Sequence, residues 1–127
     1  VIVEEPGYLG ALQTFLQYAP TFHPVALSED GLDVEGLASA LAAPQVKFIY
    51  TVPNFQNPTG LTYSVQNREA VYHVIRDKNV ILIEDDPYGE LRFDGKTLPY
   101  IAARQLLQNG DARHAGRVPC VQECGAA

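Results

Sequence analysis

Two short stretches hold side chains that could do chemistry together: 53-PNFQNPTG-60 and 80-VILIEDDPYGEL-91. The second places two carboxylates, Asp85 and Asp86, at the end of an apolar run and follows them with Pro87 and Tyr88. Adjacent carboxylates repel each other and need partners. In an extended segment successive side chains point to opposite faces, so one of the pair can face a ligand while the other meets solvent or a backbone donor. A buried carboxylate facing a ligand suits a cationic group, such as a protonated ring nitrogen. Tyr88 offers a hydroxyl that can donate to an anionic oxygen. Asn57 offers an uncharged amide donor on a loop that Pro58 and Gly60 fix. Taken singly, Asn-Pro-Thr-Gly reads as a good turn and Asp-Asp-Pro-Tyr as a solvated loop. Their joint placement at the ends of neighbouring apolar runs favours a site.

The elements that would position these loops alternate. Residues 1–5 (VIVEE) are a short β-branched run closed by Pro6-Gly7. In 8–18, Leu9, Leu12, Phe15 and Leu16 recur at helical spacing. A second strand is expected around 22–27, where Pro24 suggests an edge or irregular strand. Leu32-Asp33 reads as a turn, and Val34, Leu37 and Leu41 as the apolar face of a helix. Residues 46–52 form a third strand. Ser64 is a natural N-cap for a helix over about 65–78 that buries Val71, Val74 and Ile75. The unbroken run 80–83 predicts a strand buried on both faces, and 99–108 a further helix stopped by Gly110. Strands alternating with helices predict an α/β fold: a mainly parallel sheet flanked by helices. In such sheets ligands sit at the carboxyl ends of the strands, where both stretches fall.

The totals narrow the class. The chain has 127 residues, 46% of them hydrophobic, which is enough for one domain with a core. No apolar run is long enough to span a membrane. Net charge is −6, with nine basic against fifteen acidic residues and no basic stripe, which argues against nucleic acid as a partner of this segment. The start, VIVEE, has neither Met nor the features of a secretory signal. It suggests a piece of a longer chain and a cytoplasmic or organelle-matrix location. His114, Cys120 and Cys124 match no common zinc spacing and lack a fourth ligand, so no metal is expected and the thiols read as free.

The stretches 3-VEEPGYLGALQTF-15, 53-PNFQNPTGLT-62, 84-EDDPYGELRFDG-95 and 98-LPYI-101, in this order, resemble the large domain of fold-type I, pyridoxal-phosphate-dependent aminotransferases. The resemblance is greatest to the 2-aminoadipate/kynurenine type and to the aminotransferase-like domains of MocR-type regulators. It covers about residues 1–101 of a partial large domain spanning 1–127, with 102–127 a divergent tail. It implies the cofactor pyridoxal 5'-phosphate (PLP), amino acid and 2-oxo acid substrates, and a homodimer. It also implies roles. Tyr8 stacks on the cofactor ring, Asn57 and Tyr88 donate to its phenolic oxygen, and Asp85 pairs with the ring nitrogen. Glu84 and Asp86 have no direct role and read as supporting or loop residues, and Tyr50, Phe55 and Gln56 line or support the site.

The family's cofactor-binding lysine has no counterpart. Lys47, Lys78 and Lys96 are the only lysines, and none stands at the family position. The expectation is therefore a segment of a PLP-dependent aminotransferase without its own nucleophile. The alternatives are the effector-sensing domain of a MocR/GntR-type regulator, or a non-catalytic piece.

Overall fold

A computed structural model of the chain describes residues 1–101. Strand β1 (Ile2–Glu5) leads through helix α1 (Leu9–Leu16) to β2 (His23–Ser28) and the two-residue β3 (Gly31–Leu32). Helix α2 (Val34–Ala40), β4 (Phe48–Thr51), α3 (Val65–Ile75), β5 (Ile81–Glu84) and a 3-10 turn (Gly89–Leu91) follow. The sheet order is β3-β2-β1-β4-β5. β1 is parallel to β2 and β4, and β4 to β5; only β2 and β3 are antiparallel. The expected mainly parallel α/β sheet is therefore what the chain forms.

The order reverses at β1. The chain first moves outward from β1 to β2, then returns to place β4 and β5 on the other side. A reversal of this kind opens a crevice at the strands' carboxyl ends, because the connections leave in opposite directions.

Register and alternation assign the two faces. Ile2, Val25 and Ile49 lie on one face with Leu37 of α2 and Val71 and Tyr72 of α3, all in one buried core. Phe48 and Tyr50 lie on the other face, where the Phe15 ring of α1 meets both edge-on at 5.3 and 5.4 Å. The helix starts are cut by local chemistry. Ser64 accepts from Asn67 N, as the sequence predicts, and Asp33 caps α2 through Glu35 N.

Several expectations change. β2 is not an edge strand, since β3 adds beyond it, but β3 pairs only Leu27 and Ser28. His23 N donates to Val1 O on the β1 side. By alternation Pro24 puts its missing N–H on the side that β3 does not reach. Leu32, read as part of a turn, belongs to β3. There Asn67 donates to Leu32 O and accepts from Leu32 N, standing in for a strand neighbour. β5 is not buried on both faces: Ile81 is 67% and Ile83 39% exposed. Among the described residues β5 ends the sheet, and α1 lies against Phe48 and Tyr50 rather than against β5. In α1 the apolar stripe turns inward only at Leu12 and Phe15, and Leu9 and Leu16 stay exposed. Of the helix expected over 99–108, residues 99–101 are irregular and the rest lies outside the described residues, as do His114, Cys120 and Cys124.

Candidate functional site

Three loops leave the carboxyl ends of the adjacent strands β1, β4 and β5, and they carry Tyr8, Asn57, and Asp85 with Tyr88. Side chains stitch the loops together. Gln56 Nε2 donates to Glu4 Oε2 and to Pro6 O, tying the β4 loop to the end of β1. Asn54 Nδ2 donates to Asp86 Oδ2 at 2.9 Å, tying the same loop to the β5 loop. Phe55 (φ 48°) and Gly60 (φ 75°) take the left-handed conformation that turns the β4 loop back. Gln56 O accepts from Gly60 N, and Gln56 Oε1 accepts from Thr59 N and from the Thr59 hydroxyl.

The paired carboxylates part as alternation predicts. Asp85 turns to the Tyr50 face, where its Oδ2 accepts from the Tyr50 hydroxyl and its backbone N donates to Thr51 O at 2.9 Å. Burial, then the Asp85 carboxylate beside it, raises the Tyr50 phenol far above its ordinary range, so Tyr50 remains a donor. Asp86 turns to the opposite side, toward Asn54, and its Oδ1 is buried without a partner among the described residues. A Cβ at Gly89 would collide with Asp86 Oδ2, so a larger residue there would displace that carboxylate from its place beside Asn54.

Tyr8 stands at the N-terminus of α1, 39% exposed, with its ring over Gly10. A Cβ at Gly10 would lie 2.7 Å from the ring and from the hydroxyl. Tyr8 also lies near enough to Tyr50 to add slightly to the rise of its phenol. Asn57 and Tyr88 are half-buried, and neither side chain hydrogen-bonds to another described residue. Of the residues expected to line or support the site, Tyr50 touches Asp85, Gln56 braces the loop, and the Arg92 guanidinium lies 4.9 Å over the Phe55 ring. Glu84 Oε1 accepts from Ile101 N.

Sequence reasoning missed a polar cluster on the core face. Glu4, 3% exposed, accepts from Val52 N, Gln56 Nε2 and the Tyr63 hydroxyl. Burial holds its carboxyl above its ordinary pKa, against the pull of those donors. Arg68, 1% exposed, donates to the carbonyls of Tyr63, Pro53 and Pro99 and to Asn54 Oδ1. Alternation offered one signal: in VIVEE, Glu4 shares the face of the buried Ile2. Arg68 gave none, since a mid-helix arginine ordinarily reads as solvated.

Lys47 sits at the opposite end of the sheet, where its carbonyl accepts from Ile81 N, and Lys78 follows α3 on the way to the start of β5. No helix among the described residues is long and apolar enough to cross a membrane.

The family model for aminotransferase class I and II matches residues 1–118. The chain is 38% identical over 108 residues to aromatic-amino-acid aminotransferase 1 of Thermococcus litoralis, covering 81% of this chain and 26% of that protein. It is 38% identical over 121 residues to the uncharacterized HTH-type transcriptional regulator YdcR of Escherichia coli, covering 94% of this chain and 24% of that protein. Among solved structures it resembles LysN, the alpha-aminoadipate aminotransferase of Thermus thermophilus, complexed with N-(5'-phosphopyridoxyl)-L-leucine. The TM-score is 0.78 at 33% identity, over 87% of this chain and 28% of that one. The chain thus spans about a quarter of the length of the curated relatives it matches.

Proposed function

The chain belongs to the class I and II aminotransferase family, and we propose that it contributes the PLP-binding part of an enzyme that moves an amino group between an amino acid and a 2-oxo acid. Residues 1–127 are then part of the cofactor-binding large domain. The observation that carries the reading is the gathering of Tyr8, Asn57, Asp85 and Tyr88 on three neighbouring strand ends beside the sheet's reversal.

The donor set suits that ligand. Asp85 offers a carboxylate for the cationic ring nitrogen, and Tyr50 occupies one of its two oxygens. Asn57 and Tyr88 offer an amide and a hydroxyl for an anionic phenolic oxygen, and neither is committed to another described residue. The cofactor, when bound, supplies an electron sink for the reacting substrate carbon. Asp85 keeps the proton on the ring nitrogen by offering a fixed negative charge beside it. Asn57 and Tyr88 stabilise charge on the phenolic oxygen, and the Tyr8 ring covers one face of the ligand and excludes water from it. None of Lys47, Lys78 and Lys96 is assigned the covalent role. The homodimer and the cytoplasmic or organelle-matrix location that the resemblance implies belong to the same reading.

A second reading, an effector-sensing domain of an HTH-type regulator, is favoured by the 121-residue match to YdcR. On that reading PLP binding by this chain would signal instead of supporting turnover.

The test is the intact mass of the protein at its native length after incubation with PLP and borohydride reduction. One stoichiometric adduct, on a lysine other than Lys47, Lys78 and Lys96, is the expected result. No adduct, or scattered labelling of those three, would overturn the reading. Transfer of an amino group to a 2-oxo acid then separates the enzyme from the sensor.

A further inference from the structure

We propose that Tyr50 is a positioning residue for the site: its hydroxyl fixes the rotamer of the Asp85 carboxylate so that the second oxygen is presented to a cationic ring nitrogen. This rests on the cofactor reading above and goes beyond it, since Tyr50 itself touches no ligand.

Three observations carry the assignment. The hydrogen bond spans adjacent strands: Tyr50 lies in β4, and Asp85 follows directly after β5, where Tyr50 pairs with Ile83 in the register. By alternation Tyr50, Ile83 and Asp85 share a face, so the donor reaches the carboxylate sideways along the sheet and leaves its outer edge toward the strand ends. Tyr50 is itself held. It is 6% exposed, and Phe15 of α1 meets its ring edge-on at 5.4 Å with the planes at 78°. Asp85 is anchored at its other end by the backbone bond from its N to Thr51 O at 2.9 Å. A carboxylate tethered at the backbone and at one oxygen has little rotational freedom left to lose on binding, and geometry of this kind raises affinity by pre-organisation. The burial that keeps the Tyr50 phenol protonated makes the tether persist across the working pH range.

A tyrosine that only filled space would behave differently from one acting through Asp85, and a double-mutant cycle separates the two. The dissociation constant of PLP is measured for the protein at its native length, for Tyr50→Phe, for Asp85→Asn and for the double variant. Tyr50→Phe keeps the ring and its contact with Phe15 and removes only the hydroxyl. It is expected to weaken PLP binding roughly threefold to tenfold, and to add nothing in the Asp85→Asn background. If Tyr50→Phe folds poorly, Phe15→Leu frees the Tyr50 ring and leaves its hydroxyl. A smaller loss in the same direction is expected there, again absent in the Asp85→Asn background. A silent Tyr50→Phe, or losses that multiply independently of Asp85, would overturn the positioning role alone. If the unaltered protein takes up no PLP, the cofactor reading fails and this inference fails with it.

Discussion

The two faces of the sheet treat their polar residues differently at the same strand ends. On the core face, Glu4 of β1 and Arg68 of α3 are buried, and each makes several bonds to groups of the chain itself. On the α1 face, Asp85 has one side-chain donor among the described residues, Tyr50, and the ring of Tyr8 stands partly in solvent. A carboxylate or guanidinium surrounded by internal partners acts as a fastener, because desolvating it without them would cost several kcal/mol. A carboxylate with one partner and an open edge is suited to a ligand. The adjacent Asp85 and Asp86 draw the contrast within one dipeptide: the first goes to Tyr50 on the α1 face and the second to the fastener Asn54, which also accepts from Arg68.

The largest effect that would sharpen this contrast is on stability. Arg68→Ala leaves the buried acceptors Tyr63 O and Asn54 Oδ1 without a donor among the described residues and removes one of two donors to Pro53 O. It is expected to cost about 3–5 kcal/mol, read by urea unfolding of the cofactor-free protein. A loss under about 1 kcal/mol would show that the core-face cluster is not structural.

Asp85→Asn is expected to do the reverse. Stability should change by less than about 1 kcal/mol, while PLP affinity falls at least roughly thirtyfold, as for loss of one partner of a desolvated charge pair. Equal damage to both quantities would erase the distinction between the faces.

Glu4 gives a pH signature. Its folded pKa is raised above 4.5, so between the two values the folded chain binds more protons than the unfolded one. The stability from this group is complete below the unfolded value and is lost as pH rises through the folded one. The stability of the unaltered protein relative to Glu4→Gln should therefore fall as pH is raised above the ordinary carboxylate value of 4.5. Chemical unfolding at several pH values checks it, and a constant difference would contradict it.

The smallest effects belong to the outer donors. Asn57→Ala and Tyr88→Phe should each cost about 0.5–1.5 kcal/mol of PLP affinity and leave the unfolding midpoint almost unchanged, as measured by ligand titration and thermal melts.

Much of this was legible in the sequence, for identifiable reasons. Ser64 before a helical pattern marks a cap wherever it occurs, and the structure uses it so. Period-two alternation correctly sent Asp85 and Asp86 apart, because the backbone stays extended past β5. The reading failed where tertiary context decides. VILI looks like a doubly covered strand, yet coverage is a property of neighbours, and β5 has only β4 beside it among the described residues. Leu32 looked like turn because β3 is only two residues long and the backbone N and O of Leu32 bond a side chain on α3, Asn67, 35 residues on. Arg68 was invisible because nothing in a helical pattern announces that carbonyls from two distant loops will converge on it. The residues proposed to bear chemistry sit in turn motifs that a sequence displays, whereas those that hold the loops are defined by contacts.

The most direct test of the account is the 15N chemical shift of the ring nitrogen of labelled PLP bound to the protein at its native length, compared between Asp85→Asn and Asp86→Asn. The account predicts a protonated nitrogen in the unaltered protein and in Asp86→Asn, and an unprotonated one in Asp85→Asn. A nitrogen that stays protonated in Asp85→Asn, or loses its proton in Asp86→Asn, would contradict the assignment of the ligand side to Asp85.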